Sequence, residues 1–287
     1  MVGAVALAAC GPGARNGDGT GDSGDAGIDA TTTPDSPSTV DGPPSAEPSK
    51  VYAHTADTLY QLNDTSFAVT QIGTFTGLDG PLLDLAVDKN DRMLGTTRGS
   101  VYSINSATAA ATLLKALPTA AQNASSLSFI PQTTGDDLLV TANISGDVYS
   151  INPTTGAAAK IGSYGSGTGG AITSSGDLFG VKDFGVYATV NVGNTSGSND
   201  YLAKIDPANG WKATLRPNDT GFNNIFGLGF WGGKIYGFVD DGGAAGTGRV
   251  IEIDPGTGKG TVMAGPSPTR WYGAAVTTDA PIIGRTR

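Results

Sequence analysis

One imidazole, His54, and one thiol, Cys10, are all that this chain of 287 residues offers from the side chains most used in covalent and proton-transfer chemistry. A single Cys excludes an internal disulfide, and centres built from several His or Cys have no ligands. A Ser-His-Asp relay would have to use His54, and no Gly-x-Ser-x-Gly turn is there to present a serine. Glutamate occurs only at Glu47 and Glu252, so acid–base chemistry would fall to aspartates. Hydrolysis of glycosides in particular needs at least a pair of carboxyl groups, one of them with a raised pKa. Gly165-Ser166-Gly167-Thr168-Gly169-Gly170 matches a dinucleotide-binding pattern in letters only, because a strand follows where a helix N-terminus is required. Asp18, Asp22 and Asp25 are spaced four then three, and the twelfth position from Asp18 is Asp29. A calcium loop needs oxygen ligands at alternate positions and a bidentate Glu at the twelfth, so this run reads as a solvated spacer.

Whatever positions these residues is built from a short stretch written five times. Its clearest copy is Asp147-Val148-Tyr149-Ser150-Ile151-Asn152-Pro153-Thr154-Thr155-Gly156, and the others end at Asn63, Asn105, Asp206 and Asp254, at successive spacings of 42, 47, 54 and 48 residues. Alternation of apolar and polar residues predicts a half-buried strand. The terminal Asn or Asp can accept from the backbone two residues on. Pro then fixes φ at positions 153, 207 and 255, and Gly156, Gly210 and Gly258 supply a left-handed residue. Each copy therefore predicts a strand followed by a tight hairpin turn.

A second strand is expected upstream of each copy, at 93–96, 138–141, 178–181 and 235–238, and a small-residue strand before that, at 84–87, 126–129, 170–173 and 227–230. The Ala-rich run 107–121 has helical propensity, but the repeat register asks for a strand over 112–117. Four strands per unit at this period predict an all-β, five-bladed β-propeller over 51–277. Residues 51–54 match a second strand lacking its first, and 272–276 match a first strand with nothing after it. The ring is thus expected to close by pairing the C-terminal strand with the N-terminal blade, which removes an open edge. Residues 183–200 read as an insertion between a second and a third strand, overhanging the face that carries the 2–3 and inter-blade loops. Trp211 and Trp231 are expected in turns on the other face. Five-bladed propellers include glycosidases with carboxylates around the axis. Asp84 could face that axis, but the positions aligned with it read Ser126, Gly170, Gly227 and Gly273, so a single carboxylate is expected there.

The N-terminal segment predicts localisation. Leu7-Ala8-Ala9-Cys10 resembles the lipobox of bacterial lipoproteins, which implies that Cys10 is lipidated and becomes the mature N-terminus. The apolar run of residues 1–10 is far too short to span a bilayer, which takes about 20 residues. Gly11 after the Cys, in place of Asp, points to the outer membrane. Residues 11–50 hold almost no large apolar residue and cannot offset their ordering entropy, so a disordered tether is expected. Asp18, Asp22, Asp25, Asp29, Asp35, Asp41 and Glu47 against Arg15 and Lys50 place five of the nine net negative charges in that segment. Asp- and Gly-rich tethers of this kind resemble those of lipoproteins from myxobacteria-like Gram-negative bacteria. Residues 278–287 read as a C-terminal tail.

What remains is a surface. Arg270, Trp271 and Tyr272 lie where the last inter-blade loop enters an inner strand; Phe222, Asn223 and Asn224 lie in a neighbouring loop, with Asp79 in another and Asp183 at the insertion. Aromatic faces with amides and an Arg suit a glycan or a peptide. The expected function is a non-catalytic binding or scaffold module for a protein or glycan, monomeric, membrane-attached through its lipid and with no cofactor. The alternative is a propeller hydrolase, lactonase or lyase holding a divalent cation among Asp79, Asp84, Asn123, Asn223 and Asn224. A domain net charge of about −4 and the lack of a basic stripe argue against nucleic acid.

Overall fold

A computed structural model describes residues 50–64, 66–122, 124–193, 197–242, 246–267 and 269–283; Cys10, the tether and Asn123 lie outside these. The strands run β1 (Val51–His54), β2 (Thr58–Leu62), β3 (Val69–Thr74), β4 (Asp84–Val87), β5 (Met93–Thr96), β6 (Ser100–Ile104) and β7 (Ala111–Ala116). They continue as β8 (Ser128–Ile130), β9 (Leu138–Ala142), β10 (Asp147–Ile151) and β11 (Ala158–Ser163). Next come β12 (Ser166–Gly167), β13 (Gly170–Val181), β14 (Gly185–Val192), β15 (Tyr201–Asp206) and β16 (Lys212–Asp219). The last are β17 (Ile225–Trp231), β18 (Lys234–Gly242), β19 (Thr247–Ile253), β20 (Gly260–Ser267) and β21 (Gly273–Val276). They form five antiparallel sheets, β21-β1-β2-β3, β4 to β7, β8 to β11, β12 to β16 and β17 to β20. The inner strands β21, β4, β8, β13 and β17 lie each against the next, and β17 against β21, so the ring is closed. The run 107–121 follows the repeat register: β7 is a strand, and helix is confined to a single turn at Thr119–Ala121.

The seam is the pairing of β1 with β21, in the register Val51↔Val276, Tyr52↔Ala275, Ala53↔Ala274 and His54↔Gly273. Trp271 fixes it from the side. Its indole is 1 % exposed and meets Tyr60 and Phe238 edge-on at 5.4 and 5.3 Å, wedging the first blade against the fifth. Beyond β21 the chain crosses the lower end of the ring. Thr277 Oγ1 donates to Asp88 O at 3.1 Å and Thr278 Oγ1 to Asp137 Oδ2 at 2.5 Å. Thr278 O accepts from Lys182 N and Pro281 O from Gly232 N, both at 2.8 Å. Through Ile282, what reads in sequence as a tail is therefore a strap tied to the inner turns of the other four blades.

The repeated Asx turns form as their chemistry dictates. Asn63, Asn105, Asn152, Asp206 and Asp254 each accept a backbone N–H two or three residues on through the side chain, at 2.6 to 3.1 Å. Gly156 and Gly258 supply the left-handed residue at φ 70° and 84°, and in the two copies without Pro-x-x-Gly it falls to Phe67 and Ala109, at 57° and 60°. The hairpins then clasp the outer strand of the preceding blade. Thr76 N donates to Ala109 O, Ser163 N to Gly210 O and Asn218 N to Thr257 O. Asn152 bonds the N–H groups of Thr154 and Thr155, both at 2.9 Å. Asn152→Ala is therefore expected to lower the unfolding free energy by about 1 kcal/mol, the usual loss for a missing Asx cap, read as a shift of the urea midpoint.

The fourth blade departs from the expected register. Leu178–Val181, expected as a second strand, belongs to the inner strand β13 and pairs with β14. The second strand β14 occupies much of what reads as an insertion at 183–200, leaving only 193–200 as a 2–3 loop. Hydrophobic strength explains the miss. Phe179, Val186, Ala188 and Val190 are all buried, and the small-residue segment chosen as the inner strand, 170–173, is the half-exposed start of β13.

Candidate functional site

The face on which the inner strands begin carries the 2–3 and inter-blade loops and is called upper here. At this end each inner strand turns one backbone N–H toward the axis, from Leu85, Leu127, Leu178, Leu228 and Ala274. Two carboxyl groups take all five. Asp84 accepts from Leu85 at 2.8 Å and Leu127 at 2.6 Å, and also from Ala274. Asp177 accepts from Leu178 at 2.6 Å and Leu228 at 2.7 Å. The two carboxyls hydrogen-bond each other, which requires that one carries a proton, since two like charges in contact cannot both ionise. Both residues are 1 % exposed, and burial pushes both carboxyls well above the ordinary carboxylate range. Gly273 leaves the room they need, because a Cβ there would collide with Asp84 Oδ1 and His54 Nε2.

The axis therefore holds two carboxylates, correcting the single one expected. The residue aligned with Asp84 is Asp177, not Gly170. Spacing carried the signal: Asp84, Ser126 and Gly227 precede their turn Asx by 21, 26 and 27 residues, Asp177 by 29 and Gly170 by 36. His54 completes the cluster, with Nε2 3.8 Å from Asp84 Oδ1. Burial pulls its pKa down to about 4. Asp200, also missed in sequence, is buried and accepts from Ser175 Oγ and from Ile225 N, the latter at 2.8 Å. Burial pushes its carboxyl up to about 6.

These shifts set a pH dependence. Asp200 binds its proton more tightly folded than unfolded, so its contribution, about 3 kcal/mol, is present in acid and lost as pH rises through about 6. His54 works the other way: a similar contribution is present above pH 6.5 and lost as pH falls through about 4. The two nearly cancel, which leaves the raised Asp84–Asp177 pair to decide. Its stabilisation fades as pH rises, so thermal midpoints measured from pH 4 to 9 should be highest in mild acid and decline toward alkali.

The open site lies on the same upper face, among the loops around the first blade. A groove of about 660 Å³ is lined by Asp57, Phe75, Leu78, Asp79, Arg270 and Tyr272. Asp79 accepts from Ser100 Oγ at 2.9 Å. Arg270 donates through Nε to Asp240 at 2.7 Å and lies 6.0 Å from the Tyr272 ring centroid. The structure thus brings Asp79, Arg270 and Tyr272 together. Trp271 is core and does not reach the groove. Phe222, Asn223 and Asn224 share the upper face but line a different loop. Phe222 packs on the core, Asn223 Oδ1 accepts from Asn224 N at 2.8 Å, and Asn224 is a left-handed residue at φ 57°. Asp183 lies in the β13–β14 turn on the lower face, beside a second cavity of about 1100 Å³, rather than overhanging the upper one. Trp211 is buried and Trp231 packs on the core. Asp84 is buried at the axis while Asp79 lines the groove, and among the described residues no group of three or more His, Cys, Asp or Glu is placed to hold a metal ion.

The molecule is a five-bladed β-propeller with a polar axis closed by its own side chains. No protein-family model matches the sequence, and no curated protein is significantly similar to it. Among solved structures it is similar to a protein assigned as TolB from Agrobacterium tumefaciens (TM-score 0.42, 12 % identity, 74 % of this chain and 75 % of that one). It is also similar to a protein of unknown function from Bacteroides caccae (0.41, 10 %, 80 % and 98 %). A third is virginiamycin B lyase from Staphylococcus aureus (0.41, 11 %, 75 % and 65 %). These likenesses are loose, and the architecture rests on the strand order given above.

Proposed function

We propose that the protein is a non-catalytic binding module, attached to the outer membrane through a lipidated Cys10, whose upper groove takes a protein or glycan ligand. The observation that carries this reading is the commitment of the axial carboxyls. Where a propeller hydrolase would present an acid and a base to substrate, Asp84 and Asp177 are 1 % exposed and spend their oxygens on backbone N–H groups. The groove, by contrast, is open and sets an aromatic ring beside carboxylates and a guanidinium, the mix that orients a stacked polar ligand. Val51 lies at the lower end of the seam, opposite the groove.

The test uses the full chain on glycan and peptide arrays, followed by titration of the strongest ligand. Tyr272→Ala is expected to weaken binding at least tenfold, about 1.4 kcal/mol, with the melting temperature little changed. Cys10→Ser should release the protein from the membrane fraction. Turnover of glycoside, ester or lactone substrates that depends on a divalent cation would refute the reading, as would ligand binding indifferent to Tyr272 and Asp79.

A further inference from the structure

At the seam of the ring three titratable groups meet in line. His54 occupies the strand pair His54↔Gly273 that joins β1 to β21. Its Nδ1 lies 2.7 Å from Thr55 O, and a carbonyl can only accept, so Nδ1 carries the ring proton and Nε2 is left with a lone pair. That Nε2 is buried without a hydrogen-bond partner. The nearest carboxyl oxygen is Asp84 Oδ1, at 3.8 Å, and Asp84 in turn hydrogen-bonds Asp177.

The surroundings supply no compensating cation. Among the described ion pairs, none brings a Lys or Arg to either axial carboxyl. Tyr164 stands near Asp177 with a buried, unpartnered hydroxyl, and a neighbouring carboxylate only makes its ionisation harder. Asp200 is turned to Ser175 and Ile225. Thr96, Ser126 and Thr189 are buried neutral hydroxyls. A single proton on the pair would leave one negative charge in a buried site, held by backbone N–H groups alone with no cation beside it and facing an imidazole lone pair. Such charges neutralise by binding a proton.

We propose that His54, Asp84 and Asp177 form a two-proton chain, uncharged at neutral pH, in which Asp177 donates to Asp84 and Asp84 Oδ1 donates to His54 Nε2 by closing the 3.8 Å between them, making the ring seam a latch that alkali releases. When Asp84 loses its proton, a carboxylate and a lone pair oppose each other across the β1–β21 pairing. Burial raises both carboxyls, so the stabilisation is complete in acid and is lost as pH rises through the folded value. The strain falls on the strand pair that closes the ring.

Because His54 is the only histidine, the full chain labelled with [15N]histidine gives one imidazole spectrum. At pH 6–7 the expected species is the neutral Nδ1–H tautomer with Nε2 shifted by an accepted hydrogen bond. On raising the pH, the Nε2 signal should move to the free-acceptor position in one step, although a neutral imidazole has nothing of its own to lose there. Amide exchange of the β1–β21 pair should accelerate at the same midpoint. Asp84→Asn puts an N–H donor toward Nε2 at every pH, at the expense of the Leu85 N–H bond to Oδ1, and should abolish the step; if that variant does not fold, the wild-type titration decides alone. An imidazolium at pH 7, a free-acceptor Nε2 at pH 7, or seam exchange that ignores the His54 step would each overturn the proposal.

Discussion

A chain ending at residue 270 is expected to lose cooperative unfolding altogether, although it keeps every strand of four blades and three of the fifth sheet's four. The missing piece contains β21, the only inner strand of the first blade. Without it β1 presents an unpaired edge, β4 and β17 lose the neighbour between them, and Asp84 loses the Ala274 N–H donor. Burial of Trp271 alone is worth about 3–5 kcal/mol by the usual effect of truncating a core aromatic. The strap from Thr277 to Pro281 adds four hydrogen bonds to four blades. Set against a whole-domain stability of roughly 5–15 kcal/mol, these losses exceed what the ring can absorb. The measurement is urea unfolding followed by near-ultraviolet circular dichroism, with no sigmoidal transition expected. A circular permutant that joins residue 283 to Val51 and opens the chain between β20 and β21 should restore the transition. If the truncated chain unfolded with the parent's midpoint, closure by β21 would not be what holds the ring.

The second large effect belongs to Asp177. Asp177→Ala strands the N–H groups of Leu178 and Leu228 and removes the carboxyl that pairs with Asp84. Each of the two orphaned buried N–H groups costs about 1–3 kcal/mol, so a loss of about 2–6 kcal/mol is expected, read as a shift of the urea midpoint. Asp183→Asn is the control. It lies six residues on, exposed in the β13–β14 turn at φ 62°, a left-handed conformation that Asn tolerates, so a change within about 0.5 kcal/mol is expected. Equal effects at the two positions would show that the axial carboxyls do not organise the inner strands. Their role as a clasp also explains why five blades manage with two acids. Asp84 bridges its own blade to the blades on both sides, and Asp177 bridges the remaining two, so five inward donors are met by four oxygens.

Much of this could be read from residue order because it depends on local chemistry. The five Asx turns follow from Asn63, Asn105, Asn152, Asp206 and Asp254 and the residues just after them, and no distant contact is needed to close a hairpin onto a side chain two residues away. The five-bladed count and the completion of the first blade by the last strand follow from the same period, because each repeat must find a second strand and a first. The groove was half legible: Asp79, Arg270 and Tyr272 sit in inter-blade loops whose face is fixed by strand parity. Trp271 was not, because alternation turns it inward between its two neighbours.

Tertiary structure decided what depends on contacts between blades. The chain between Gly170 and Asp206 contains two apolar stretches able to serve as a second strand, and sequence period tolerates either choice. Packing does not, since only Phe179 and its neighbours on the inner strand let Val186, Ala188 and Val190 fill the blade behind them. That shift of one strand moved Asp177 from a presumed loop to the axis and turned one inward carboxylate into a pair. The tail became a strap for the same reason: Thr277, Thr278 and Pro281 carry no local signal, and only a closed ring places Asp88, Asp137, Lys182 and Gly232 where one short segment can bond them all. Sequence by itself determined the turns, the period and the number of blades, which are short-range consequences of residue type. The buried carboxyl pair and the strap across the lower end exist only when five inner strands converge, because convergence is what buries the carboxyls and brings their donors together.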